Sequence, residues 1–579
     1  MRGLNFLNYI FQVFSILSLL LPREAFGTVT CRRNGHLECL PRAPTAETRN
    51  GTYHGIHNDN YNQDFFLGIP YAQQPVGYLR LRTPQSLNES WTMPRNATEY
   101  SPACVGYKQS VGASEACLTL NVIRPSGVSP NERLPVAVWI YGGGFTSGSS
   151  ANQQYNLSFI VEESVKVSSP IIAVSLNYRL HCWGFMWSKE IKEAGVGNLG
   201  FRDQRLALHW IQENIDAFGG DPSKVTIWGE SAGANSVGTQ LIAYGGRDDG
   251  LFRAAISESG APSTYDRYQI PKDWQPYYDA IVEAANCNFA SDTLTCLRTV
   301  PTNKLHAIFD NSSIVPVHTL TGLTGPQFVQ VIDGDLIQES ATVQLQQGKF
   351  VKVPYIIGAN ADEGTSFAVS GISTDEQFQT LVASWGLDNA TVAILTALYP
   401  NIPEIGIPAS MVGSPPAGYG DQYKRVAAFQ GDVNIHAGRR LASQAWAKHN
   451  VSAYSYLFDV INHGAGPLVG ADHGSEIAYV FDNVDGVGYA VGQNPMENEA
   501  PSYQHVAKKM SRFWISFFAD MTPNHSQDNH EDWPSYNLQN PEIILFNTKF
   551  ESPALVIPDT YRAEGIDYIS KNLATSFGH

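Results

Sequence analysis

Residues 225 to 240, VTIWGESAGANSVGTQ, place one serine where it can act as a nucleophile. An apolar, β-branched run (Val225, Thr226, Ile227, Trp228) stops at Gly229, Glu230, Ser231, Ala232 and Gly233, and a small-residue helical stretch follows. This is the G-x-S-x-G pattern in a strand-to-helix setting. Glycines two residues to either side of the serine have a steric reason, since a Cβ there would strike the neighbouring strand or helix of so tight a turn. The helix that begins at Ala232 adds unpaired N–H groups that favour negative charge beside the serine oxygen.

A serine hydroxyl needs a base, and the base needs a group to orient it. In the chain order that goes with this turn, acid and histidine follow the serine. The apolar run VPYIIGAN ends at Asp362 and Glu363, at the C-terminal end of a strand where open α/β sheets place their sites. Either carboxylate fits. Among the 15 histidines, His463 (DVINHGAG) and His473 (GADHGSEIAYVF) lie in the loop after a strand at 453 to 459. His463 is nearer that strand, whereas His473 leads into an apolar helical run that would anchor its loop better. Upstream, the strand LPVAVWIY (134 to 141) ends on Gly142, Gly143, Gly144 and Phe145, where bare backbone turns its N–H groups inward as an oxyanion hole requires.

The elements that must carry these residues follow from periodicity. Short strands alternate with turns over 60 to 124 (FFLGIPYA, LTLNVIRP). Another strand at 171 to 178 and an amphipathic helix near 201 to 217, with Leu206, Leu208, Trp210, Ile211 and Ile215 at helical spacing, lead into the elbow. Further strands fall at 252 to 258, 353 to 358 and 453 to 459, with mainly helical insertions between them. The alternation predicts an α/β fold with a mostly parallel central sheet flanked by helices.

Residues 1 to 27 read as a signal peptide: Arg2, an apolar stretch to Leu21, then Ala25 and Gly27 at cleavage-site positions. A signal anchor is the alternative. The polar C-terminus, KNLATSFGH, carries neither lipid-anchor nor retention signal. The remainder, 28 to 579, is expected to form one domain, because no linker, charge block or repeat divides it. The seven cysteines fall as close pairs, Cys31 with Cys39, Cys104 with Cys117 and Cys287 with Cys296, as disulfides of a secreted chain would. Cys182 is left over and reads as a buried small hydrophobe. Sequons begin at Asn50, Asn88, Asn96, Asn156, Asn311, Asn389, Asn450 and Asn524, which points to a glycoprotein. A formal charge of −16 argues against nucleic acid or an anionic membrane as partner. No motif calls for a metal or cofactor.

The chain resembles the type B carboxylesterase and lipase family of α/β-hydrolases, which includes cholinesterases and secreted fungal lipases and sterol esterases. FLGIPYAQQPVG (66 to 77), EACLTLNV (115 to 122), WIYGGGF (139 to 145), NYRL (177 to 180), QENIDAFGGDPSKVTIWGESAGA (212 to 234), ISESGA (256 to 261), GANADEGTSF (358 to 367) and HGSEIAYVF (473 to 481) carry the resemblance. It implies Ser231 as nucleophile, Glu363 as acid, His473 as base and Gly143, Gly144 and Ala232 as oxyanion donors. It also implies the disulfides Cys104–Cys117 and Cys287–Cys296. The expected activity is hydrolysis of small-molecule carboxylic esters, with a true lipase or sterol esterase as alternative. A non-catalytic adhesion relative would have lost the serine that this chain keeps. Two departures stand out. Ala116 replaces the aspartate usual before the cysteine of the CLxLN motif, which puts a structural charge pair in doubt. The stretch from Cys104 to Cys117 is also much shorter than the corresponding lid loop of the lipases, which leads us to expect an open site for soluble short- or medium-chain esters.

Overall fold

The computed structural model describes residues 43–109, 112–263, 268–316, 327–524 and 532–578. The expected signal peptide and the Cys31/Cys39 pair lie outside the described residues. From Ala43 onward the chain packs as one unit around an eleven-stranded sheet. Its strands are β1 (Ile56–Asn58), β2 (Gln63–Pro70), β3 (Thr119–Pro125), β4 (Leu134–Ile140), β5 (Ile172–Leu176), β6 (Gly220–Glu230), β7 (Ala254–Glu258), β8 (Tyr355–Asn360), β9 (Ala453–Phe458), β10 (Glu542–Phe546) and β11 (Ala554–Pro558). They lie in the order β11-β10-β9-β8-β7-β6-β4-β5-β3-β2-β1.

Every pairing from β5 across to β10 is parallel. At the two ends β3, β2 and β1, and β11, run antiparallel to their neighbours. The sheet is therefore mixed, parallel in its centre, which is more specific than the expected mostly parallel sheet. The central strands are continuous apolar runs because both faces are covered: Val136 through Ile140 and Val225, Ile227 and Trp228 are fully buried. Helices α1 (Leu199–Asn214), α2 (Ala232–Gly246), α4 (Ala437–Lys448) and α5 (Pro501–Asp520) supply much of that cover, while α3 (Tyr423–Gly431) packs on the turn that follows β8. Leu208, Trp210 and Ile211 of α1 are buried as their spacing predicts, while Leu206 is half-buried and Ile215 falls in the short 3-10 turn beyond the helix. The insertion between β8 and β9 and the C-terminal helix Ala563–Asn572 share a smaller apolar core, which includes Phe378, Trp385, Phe429 and Ile566.

Beneath the β6–α2 turn the rings of Trp139, Trp228 and Phe481 meet, with centroids 4.6 to 4.9 Å apart. β4, β6 and the segment following His473 are thereby packed to one another. The turn itself is as tight as its glycines imply: a Cβ on Gly233 would stand 2.0 Å from the Ile140 carbonyl oxygen, and one on Gly229 would stand 2.6 Å from it. Gly233→Ala is accordingly expected to destabilise the fold by about 3 kcal/mol, since backbone would have to move. Thermal denaturation of the variant beside wild type measures this, and an unchanged Tm would show that the turn has slack.

Candidate functional site

Ser231 sits between β6 and α2 with φ 56° and ψ −124°, a left-handed backbone that a non-glycine residue holds at a cost of about 1–3 kcal/mol. Its N–H donates to the Glu258 carbonyl at the end of β7 (2.9 Å), and its carbonyl accepts from Asn235 in the first turn of α2 (2.9 Å). The conformation is thus held from both sides, and the side chain faces a cavity of about 410 Å³. Gly143, Gly144, Gln154, Glu230, Phe367, His473, Gly474, Ile477 and Tyr489 form the rest of its wall.

His473 Nε2 lies 2.7 Å from Ser231 Oγ, and His473 Nδ1 lies 2.7 Å from Glu363 Oε2. The fully buried Glu363 carboxylate accepts a further bond at Oε1 from the Asn360 backbone N–H (2.8 Å). Three loops, after β6, β8 and β9, therefore bring serine, acid and histidine into one line. His463 does not take part: its Nδ1 pairs with Glu499 at 3.1 Å. Asp362 does not reach the imidazole either. Its N–H donates to the Ala471 carbonyl and its Oδ2 accepts from the Ala471 N–H, both at 2.9 Å, so it clamps the chain two residues before His473. Burial pushes the Asp362 carboxyl up to about 6. Gly364 lets α3 press against the acid's turn, since a Cβ there would stand 1.8 Å from the Ala427 carbonyl oxygen.

Gly143 and Gly144 line the cavity with φ of 108° and 60°, values open to glycine, and Ala232 is the first residue of α2. Phe145 is buried against Phe185 and Phe201, and its carbonyl accepts from the His181 N–H (2.7 Å), which fixes the glycine turn from below.

Three further glutamates at or near the site, Glu230, Glu258 and Glu476, are not legible as partners from the catalytic motifs, and they join Glu363 in one buried group. Glu230, Glu258, Glu363 and Glu476 are all buried. Glu230 Oε1 lies 3.5 Å from His473 Nε2. Glu476 Oε2 accepts from Asn360 Nδ2 (2.5 Å), and the same amide donates to the carbonyl of Asp472, the residue preceding His473 (2.7 Å). Glu258 Oε1 accepts from the indoles of Trp228 (2.5 Å) and Trp514 (2.6 Å). Burial raises the carboxyls of Glu230, Glu258 and Glu476 above the ordinary glutamate range, and mutual repulsion within the group adds to this. Burial acts to lower the His473 imidazole, but Glu363 and Glu230 facing it outweigh that and raise it. The signal available in the sequence was the glutamates inside GES, SES and GSEI, but their convergence requires the fold.

Disulfides join Cys104 to Cys117 and Cys287 to Cys296, and Cys182 is free and buried. Ala116 is exposed, and the adjacent Glu115 makes a buried two-point pair with Arg80 at 2.7 Å. No cluster of histidine, cysteine or acidic side chains suited to a metal ion occurs among the described residues. None of the helices among them is long and apolar enough to cross a membrane.

The model of the carboxylesterase family matches residues 42–566. Secreted lipase 1 of Botryotinia fuckeliana is 34% identical, with 97% of this chain and 99% of the relative covered. Lipase 4 of Diutina rugosa is 34% identical over 92% of this chain and 97% of its own length, and the acetylcholinesterase of Bungarus fasciatus is 32% identical over 84% and 79%. Among solved structures, EstA of Aspergillus niger superposes with a TM-score of 0.78 at 27% identity, covering 93% of this chain and 99% of that one. An α/β-hydrolase sheet with this turn, matched by the family model over nearly its whole length, makes the chain a member of the carboxylesterase family and a carboxylic ester hydrolase.

Proposed function

We propose that Ser231, His473 and Glu363 form the catalytic triad, and that the enzyme works through an acyl-enzyme on soluble esters of short or medium acyl chain. The observation that carries this is the unbroken line of 2.7 Å contacts from Ser231 Oγ through both ring nitrogens of His473 to Glu363. His473 takes the hydroxyl proton as Ser231 Oγ attacks the ester carbonyl carbon, and Glu363 holds the tautomer with its proton on Nδ1 and stabilises the imidazolium. The N–H groups of Gly143, Gly144 and Ala232 are the proposed donors to the oxyanion. The imidazolium proton then passes to the departing alkoxide, and water, deprotonated by His473, releases the acid. No step requires a cofactor.

Support for a soluble substrate comes from the access route. The Cys104–Cys117 loop is short and its described part packs on residues 146–148, and among the described residues no part of 401–420, the other lid candidate, lines the cavity. The names of the fungal relatives favour the second reading, a true lipase. The relatives named as secreted lipases and the signal-like N-terminus support secretion, and none of the sequon asparagines is buried, which supports a glycoprotein.

Ser231→Ala is expected to lower kcat by on the order of 10⁶, and His473→Ala by a similar rather than an added factor, because the two act as a unit. Glu363→Gln should cost less, and His463→Ala should leave activity near wild type. Turnover of p-nitrophenyl acetate, with fluorophosphonate labelling of Ser231, measures these; loss of activity in His463→Ala with retention in His473→Ala would reverse the assignment.

Glu230→Gln should move the acidic limb of kcat/KM to lower pH. Neutral imidazole is the active form, so activity rises as pH climbs through the His473 value, and removing a facing carboxylate lowers that value. A pH–rate profile that stays in place would show that Glu230 does not act on the imidazole. For substrate class, initial rates on tributyrin should rise smoothly through its solubility limit. A jump when droplets form would return the enzyme to the lipases.

A further inference from the structure

We infer that the loop closed by the Cys104–Cys117 disulfide is a brace for the oxyanion peptide, with Gln109 as its positioning residue. This rests on the proposed role of Gly143 and Gly144.

One peptide plane joins the two glycines. The carbonyl of Gly143 and the N–H of Gly144 belong to the same trans unit and point in opposite directions, so whatever holds the carbonyl aims the N–H. The Gly143 carbonyl accepts from the backbone N–H groups of Thr146 (3.1 Å) and Ser147 (3.2 Å). The aim of Gly144 therefore depends on where residues 146 to 148 are kept. The disulfide loop keeps them. The Tyr107 N–H donates to the Thr146 carbonyl at 2.7 Å, and Gln109 Oε1 accepts from the Gly148 N–H at 3.3 Å. Gly106 allows the approach, because a Cβ there would stand 2.4 Å from the Thr146 carbonyl oxygen and 3.3 Å from Ser147 Cα.

The loop is in turn held at both ends. Cys104 and Cys117 are buried and bonded, Ala103–Cys104 pairs with Ala113–Ser114 as a two-residue ladder, and the Lys108 N–H donates to Asp310 (3.1 Å). The Tyr107 ring lies 5.5 Å from the ring of His181, whose N–H holds the Phe145 carbonyl, so the brace and the support beneath the glycine turn meet. The described part of the loop is tied in this way, and its shortness places its backbone within reach of residues 146 to 148. Among the described residues, the Gln109 bond is the hydrogen bond to that segment made by a side chain, and so the one that substitution can remove.

The test separates acceptor from bulk. Gln109→Met keeps the side chain's length and loses the acceptor; Gln109→Glu keeps the acceptor. Gln109 is half-buried at the surface, and Tm of both variants is read alongside. Gln109→Met should lower kcat on p-nitrophenyl butyrate by about three- to tenfold with little change in KM. This is less than the 10² or more of a lost oxyanion donor, because here a donor is only misaligned. It should also weaken a trifluoromethyl ketone, which is bound as a tetrahedral oxyanion, more than the matching methyl ketone. Gln109→Glu should sit near wild type in both. Unchanged kinetics in Gln109→Met would overturn the inference, as would equal losses in both variants with the ketone ratio intact, which would mark a merely structural residue. Fluorophosphonate labelling of wild type is read first: no adduct on Ser231 defeats the triad proposal, whereas an adduct with unaltered Gln109→Met kinetics defeats only the brace.

Discussion

Between Gly229 and Gly233 the backbone turns against the carbonyl oxygen of Ile140, with room for hydrogen and nothing larger. The rest of the site depends on this contact. It forces Ser231 into a left-handed conformation, and such strain persists only where surrounding packing over-determines it. Here β4 and β6 are parallel neighbours, fully buried, and the rings of Trp139, Trp228 and Phe481 lock them together beneath the turn. Because Phe481 follows His473 in the chain, the same packing that fixes the serine also fixes one end of the histidine loop.

The other end of that loop is fixed by polar contacts. Asp362 bonds to both backbone groups of Ala471, and the Asn360 side chain holds the Asp472 carbonyl while its own N–H holds Glu363. The end of β8 thus carries the acid and the anchors of the histidine loop within a few residues. Such buried polar groups give a single geometry when they are satisfied, and small shifts of a reacting pair are costly in rate. Four buried glutamates within this region carry a desolvation cost, which the raised carboxyl values of three of them and the indole donors on Glu258 reduce.

Departures from the family pattern fall around one loop. The Cys104–Cys117 loop is short, its described part bonds to residues 146 and 148 beside the glycine turn, and Glu115 beside Ala116 makes a buried pair with Arg80.

The sequence by itself determined the elbow, the glycine turn and the strands from β2 to β9, and its close cysteine pairs suggested the disulfides Cys104–Cys117 and Cys287–Cys296 that the structure forms. Local patterns carry these: apolar runs buried on both faces, glycines where a Cβ has no room, and cysteines close in the chain. It narrowed the acid to Asp362 or Glu363 and the histidine to His463 or His473, and family resemblance pointed to Glu363 and His473. Only the tertiary structure brought those two side chains to Ser231, because neighbours in sequence differ in which way their side chains leave the backbone. The antiparallel flanks of the sheet, β10 and β11, and the gathering of Glu230 and Glu476 around His473, with Glu258 beside them, were likewise decided by the fold. Their partners lie many residues apart, and no spacing along the chain encodes which loops meet at the ends of parallel strands.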